Sequence, residues 1–114
     1  MSLMNLHVDG QRTAWRIRQA ARWWSRAIGL LATPALEDPC GLWIAPCNSV
    51  HTLGMRYPID VVFVRSDGTI AKVVEQLRPW RAAGCRQARF TLELRAGLAN
   101  QLQLKPGMVL ALAA

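Results

Sequence analysis

No apolar run in this sequence approaches the roughly 20 residues that a membrane-spanning helix needs. Acidic residues are scarce: seven against fourteen lysines and arginines, for a net charge of +7. Lysine itself is almost missing, with Lys72 and Lys105 the two in the chain. The basic balance is therefore carried by arginine, whose planar fork suits carboxylate and phosphate groups better than lysine does. Cysteine is sparse and odd in number. Cys40, Cys47 and Cys85 include no C-x-x-C pair, which argues against a disulfide framework and for reduced thiols. Met1–His7 has no charged segment followed by a long apolar one, so it does not read as a signal peptide, and a cytoplasmic location is expected.

Several chemical signatures are missing as well. There is no G-x-G-x-x-G, Walker loop, G-x-S-x-G or H-E-x-x-H, so no nucleotide, redox cofactor or metal is expected. No helix-turn-helix, zinc-finger spacing or RNP-like aromatic run is present, so nucleic acid is a partner allowed by charge and unsupported by motif.

What is present is a hydrophobic content of 52% in 114 residues, enough for one domain, residues 1–114, with a real core. Leu3–Val8 and Thr13–Ala20 flank Asp9-Gly10 and read as a hairpin. The period then changes. Trp23, Ala27 and Leu30, with Trp24, Ile28 and Leu31 beside them, form a helical apolar stripe. This predicts the main helix over about 22–33, stopped by Pro34. Gly41–Ala45 is a short apolar strand. Ile59–Val64 and Thr69–Leu77 flank Ser66-Asp67-Gly68, with Asp67 and Gly68 expected at the two positive-φ positions of a tight turn. Residues 79–86 read as a basic loop holding Trp80. Phe90, Leu92 and Leu94 alternate with Arg89, Thr91, Glu93 and Arg95, the pattern of a half-buried strand. A short helix near 97–102 and a last strand over Met108–Ala113 complete the chain. Turn signals recur every 8–12 residues or so, as in antiparallel sandwiches and barrels. The fold class is thus α+β, mainly β: an antiparallel barrel-like or sandwich domain with one main helix covering an opening.

The stretch Val50–Val64 concentrates the candidate chemistry. His51, Arg56 and Asp60 lead into an almost wholly apolar strand. On that strand Asp60 shares a face with Val62 and Val64, so its carboxylate needs a partner. Arg56, His51 or backbone amides near Gly54 are the candidates, and the plain outcome is a salt bridge that pins the loop. Cys47, His51, Cys85 and Asp60 would be a zinc tetrad only without the usual paired spacing. Cys47 or Cys85 with His51 would be a thiolate–imidazolium pair.

The order Ser25-Arg26-Ala27-Ile28-Gly29-Leu30-Leu31, Gly41-Leu42-Trp43-Ile44, Ser49-Val50-His51-Thr52, Gly54-Met55-Arg56, Pro58-Ile59-Asp60-Val61-Val62-Phe63, Leu92-Glu93-Leu94-Arg95-Ala96-Gly97 and Leu104-Lys105-Pro106-Gly107 resembles an uncharacterised prokaryotic family, the domain of unknown function 192. The resemblance runs from about Ala14 to Leu112. It implies a compact, mainly β domain with a short helix or two, and no established activity.

The functional expectation is a small non-enzymatic binding or accessory domain. Its contact surface would join His51–Asp60 to the arginine-rich loop Arg78–Arg89, with His51, Arg56, Asp60 and Arg81 as binding residues. Arg56 would orient an anionic ligand or acidic partner protein, His51 would donate to it, and Asp60 would hold Arg56. The alternative is a small hydrolase- or transferase-like enzyme using a Cys/His pair, with or without zinc.

Overall fold

The computed structural model describes residues 3–21, 41–53 and 55–114. The helix expected over about 22–33 lies outside these residues, as do Cys40 and Gly54. The described chain runs β1 (Leu3–Val8), β2 (Gln11–Ala21), β3 (Gly41–Ala45), β4 (Ser49–His51), β5 (Ile59–Val64), β6 (Ile70–Leu77), β7 (Ala82–Gly84), β8 (Phe90–Arg95), α1 (Leu98–Gln101) and β9 (Leu110–Ala113). The domain is mostly β.

Local turn chemistry builds both hairpins. Asp9 and Gly10 sit at φ 49° and 80°, the paired left-handed positions that let a two-residue turn follow the strand twist. The second hairpin differs from the expectation for it. Of Asp67 and Gly68, only Gly68 has a positive φ, at 92°. The Gly68 amide bonds Arg65 O at 2.9 Å, and the Arg65 amide bonds Thr69 O at 2.8 Å. Asp67 Oδ1 accepts the Thr69 amide at 2.9 Å. This is the longer loop in which a turn is followed by a left-handed glycine, and a register shift follows between Phe63 and Val64.

Seven strands form one sheet in the order β6-β5-β8-β3-β2-β1-β9, and β4 and β7 pair as a separate two-stranded sheet. All the named pairings are antiparallel except β2–β3, which is parallel. The large sheet does not close. Its edge strands meet at the single bridge Thr69↔Val109, supported by the Leu110 amide on Gly68 O at 2.8 Å. The architecture is barrel-like or sandwich-like only in this loose sense.

Strand β5 is buried along its whole length because both its faces are covered. Val62 and Val64 join Leu6, Ile17, Trp43, Leu92 and Leu110 in the main core. Ile59, Val61 and Phe63 face the other way and pack with Val50, Tyr57, Val74, Ala83 and Cys85. A strand covered on both faces reads as a continuous apolar run, as Ile59–Val64 does apart from Asp60. The same logic corrects the reading of β8. Its expected polar face is not a solvent face: Thr91 is fully buried and Glu93 keeps only partial exposure.

Residues 79–86 are not all loop. Ala82–Gly84 forms β7, and it pairs with Ser49–His51 at Ser49↔Gly84, Val50↔Ala83 and His51↔Ala82. Strands of three residues are too short for a period-two pattern to register. Their central residues, Val50 and Ala83, turn inward onto β5. Lys72 Nζ, bonded to Gly84 O at 3.0 Å, ties β7 to β6.

Candidate functional site

The small sheet brings the His51 segment and the Arg81 segment side by side. His51 and Ala82 are cross-strand partners, and both residues are exposed. Just beyond them sits Thr52, which is fully buried and holds the two segments together. Its amide donates to Arg81 O at 2.8 Å, and its carbonyl accepts the Trp80 amide at 3.0 Å and the Met55 amide at 3.2 Å. Its hydroxyl donates to Arg78 O at 2.6 Å and accepts the Arg81 amide at 2.9 Å. One side chain thus satisfies buried backbone groups on a loop 26 to 29 residues away. In the sequence Thr52 stands out only as part of the family pattern Ser49-Val50-His51-Thr52, with nothing to mark this bracing role.

The loop so held carries Trp80 at φ 63°, a left-handed conformation that an aromatic residue rarely adopts. Trp80 is 65% exposed and Leu53 is 48% exposed. Arg78 and Arg81 flank Trp80 and are exposed, as is Arg56. Arg56 makes no hydrogen bond or ion pair among the described residues. Arg81 Nη1 donates only a long bond, 3.4 Å, to Trp80 O. The guanidinium groups therefore keep most of their donor capacity.

Asp60 is placed apart from this surface. Its side chain is fully buried. Oδ1 accepts the Gln76 amide at 2.8 Å, and Oδ2 accepts the Gly97 and Ala99 amides, each at 2.9 Å. The expected salt bridge from Asp60 to Arg56 is not formed, because three backbone N–H groups already satisfy the carboxylate. The register of β5 against β6 shifts between Ile59 and Val61, placing Glu75 and Gln76 opposite Asp60. Gln76 at φ 52° directs its amide inward at that bulge. Gly97 caps α1 with no side chain of its own, so Asp60 supplies that cap from a distant strand. His51, Arg56 and Arg81 thus belong to two loops joined by Thr52, and Asp60 belongs to the frame beneath.

Residues 4–112 match the model of a family described as uncharacterized ACR, the domain of unknown function 192. The chain belongs to this family. The fold is similar to that of a protein of unknown function from Novosphingobium aromaticivorans DSM 12444, with a TM-score of 0.80 and 23% identity over 96% of this chain and 84% of that one. It is also similar to a candidate transcription regulator from Sinorhizobium meliloti 1021, with a TM-score of 0.81 and 21% identity over 97% of this chain and 94% of that one. At these identities the likeness is one of fold. No curated protein matches the chain.

In this DUF192 domain the thiols of Cys47 and Cys85 have partners other than His51. Cys47 is buried and donates to Ser49 O at 3.1 Å, while Cys85 donates to Gln87 Oε1 at 3.3 Å. His51 is exposed and makes no side-chain hydrogen bond among the described residues. Nor do any three His, Cys, Asp or Glu side chains converge among the described residues, so Cys47, His51, Cys85 and Asp60 do not assemble as a metal tetrad. A cleft of about 210 Å³ opens between Pro46, Cys47, Asn48, Ala88 and Arg89. None of His51, Arg56, Asp60 or Arg81 lines it.

One titratable group escaped the sequence reading. Burial pushes the Glu93 carboxyl up to about 7. Tyr57 is also raised, first by its own burial and then by the Glu93 charge. No hydrogen bond reaches the Glu93 side chain among the described residues. Its cross-strand neighbours are Leu42 and Val61, neither of which can ion-pair with it.

Proposed function

We propose that this DUF192 chain is a small non-enzymatic binding domain that recognises an anionic group. The contact surface is the pair of loops joined by Thr52, and His51, Arg56 and Arg81 are its ligand-facing residues. Asp60 serves it indirectly, by fixing the end of β5 from which the first loop departs. The observation that carries this reading is the Thr52 clamp. It holds exposed, largely unpaired arginines on a braced backbone, which lowers the ordering cost of binding. The charge of +7, mostly arginine, supplies the matching long-range field. Among the described residues the free thiols of Cys47 and Cys85 suit a reducing compartment, and the cytoplasm is the proposed setting.

The direct test is calorimetric titration of the purified chain with inorganic pyrophosphate and tripolyphosphate at low salt. The reading predicts saturable binding that weakens as salt rises, and weakens again in Arg81→Ala and Arg56→Ala. Absence of binding by the wild type up to millimolar anion would refute it.

A further inference from the structure

We propose that Trp80 is a stacking platform and that the partner of this surface is single-stranded nucleic acid. An unpaired base lies on the indole, and Arg78 and Arg81 hold the phosphates on either side. The inference rests on the anion-binding reading above and adds to it the chemistry of the partner.

The starting point is how differently the described tryptophans are used. Trp43 is 7% exposed and stacks at a tilt on Phe90, with ring centroids 5.2 Å apart. Trp15 packs against the core and lies under the Arg95 guanidinium, 5.4 Å from its ring centroid. Trp80 alone of the three leaves most of its surface to solvent. It adds little to the core, yet its backbone is held in a strained conformation by the Thr52 carbonyl and the neighbouring Arg81 bonds. Strain that the surrounding hydrogen bonds over-determine clusters at ligand clamps and switch regions.

The size of the exposed apolar area selects the partner. The large exposed hydrophobic residues among the described ones are Leu53, Trp80 and Val109. Val109 is the bridge partner of Thr69, where the two edges of the large sheet meet, and it belongs to neither of the loops that Thr52 joins. That leaves one indole, with Leu53 following the clamp residue, and arginines before and after. Among the described residues such a patch is small for the apolar centre of a protein interface and carries little apolar surface with which to anchor in a bilayer. It fits one planar base flanked by phosphates. Every base has a π-face, so stacking is tolerant of sequence, while guanidinium groups neutralise the backbone. A duplex would hide that face. The described helix α1 has four residues and could not enter a major groove as a recognition helix.

The test uses the full chain and fluorescence anisotropy at low salt. The probes are a labelled oligothymidylate of about 12 nucleotides, within the usual site sizes, and an abasic phosphodeoxyribose chain of equal length. The expected result is tighter binding of oligothymidylate than of the abasic chain. Trp80→Ala should abolish that preference, weakening oligothymidylate about tenfold or more, while Trp80→Phe retains part of it. Arg81→Ala should weaken both probes. Should Trp80→Ala not fold, as judged by circular dichroism, the wild-type comparison and Trp80→Phe decide the matter. Equal binding of both probes by the wild type would overturn the stacking proposal and leave the anion reading standing. Binding of neither would remove both. Capture by phosphatidylglycerol vesicles without binding of oligothymidylate would also overturn it, in favour of a membrane surface.

Discussion

The carboxylate of Asp60 accepts the backbone amide of Ala99 at 2.9 Å, so a residue of β5 caps a helix 39 positions later. The same oxygen takes the Gly97 amide and the other takes Gln76, which locks β5, the β6 bulge and α1 into one unit. A polar residue in an otherwise apolar strand is here part of the frame that positions the loops above it.

Asp60→Ala should therefore destabilise the domain by about 2–4 kcal/mol. Three amides lose a charged acceptor, and each orphaned buried donor costs roughly 1–3 kcal/mol, the more exposed ones less. Asp60→Asn should cost less, because one carbonyl oxygen remains to accept, although its NH₂ then faces a donor. Urea unfolding of the two variants reads both values. An unchanged midpoint for Asp60→Ala would contradict the capping role.

Thr52 gives a prediction of a different kind. Thr52→Val conserves shape but removes the hydroxyl, leaving the Arg81 amide without its side-chain acceptor and Arg78 O without its donor. The expected loss is on the order of 1–3 kcal/mol, together with faster hydrogen exchange at the Arg81 amide. Thr52→Ser should restore most of the protection. If exchange at Arg81 were the same in Thr52→Val as in the wild type, the two loops would be held by something other than this side chain.

Much of the frame was legible because its causes are local. Asp9-Gly10 dictates a hairpin whatever surrounds it, and the apolar run of β5, broken only at Asp60, marks a strand. The relationships that failed to show are long-range. Strand direction in β2–β3 depends on where the chain returns after residues 22–40, and pattern carries no such information. The partners expected for Asp60 are Arg56, His51 or backbone amides near Gly54, whereas its actual partners are the amides of Gln76, Gly97 and Ala99, far away in sequence and marked by no residue identity. Glu93 alternates with the apolar residues of β8, a pattern that ordinarily marks a solvated face. That inference fails for a strand flanked on both sides and covered on both faces. The candidate surface was legible as two segments, and the pairing that joins them depends on two three-residue strands and one threonine.

Gly41 shows how closely β3 and β8 approach. A Cβ built there would lie 2.5 Å from Glu93 O and 2.8 Å from Leu94 Cδ2. The first contact is with backbone and cannot be relieved by a rotamer change. Gly41→Ala should cost about 1–3 kcal/mol, the usual penalty of overpacking, read as a lower thermal midpoint. A variant as stable as the wild type would mean that β3 can move away from β8 freely.

Glu93 makes stability depend on pH in a direction opposite to that of a salt-bridged carboxylate. Its folded-state value, about 7, lies above the ordinary 4.5. Between these two values the folded chain binds more protons than the unfolded chain, so stability falls as pH rises. Below about 4.5 both states are protonated at this position, and above about 7 both are ionised, so the contribution is flat outside that window. The burial responsible amounts to roughly 3 kcal/mol at 1.36 kcal/mol per unit. Glu93→Gln, which cannot ionise, should therefore stabilise the domain most at pH 8 and little at pH 5. Denaturant melts of the wild type and the variant across this range should converge at the acid end and separate as pH rises. A constant difference at all pH values would show that the Glu93 carboxyl titrates in water and is not enclosed between Leu42 and Val61.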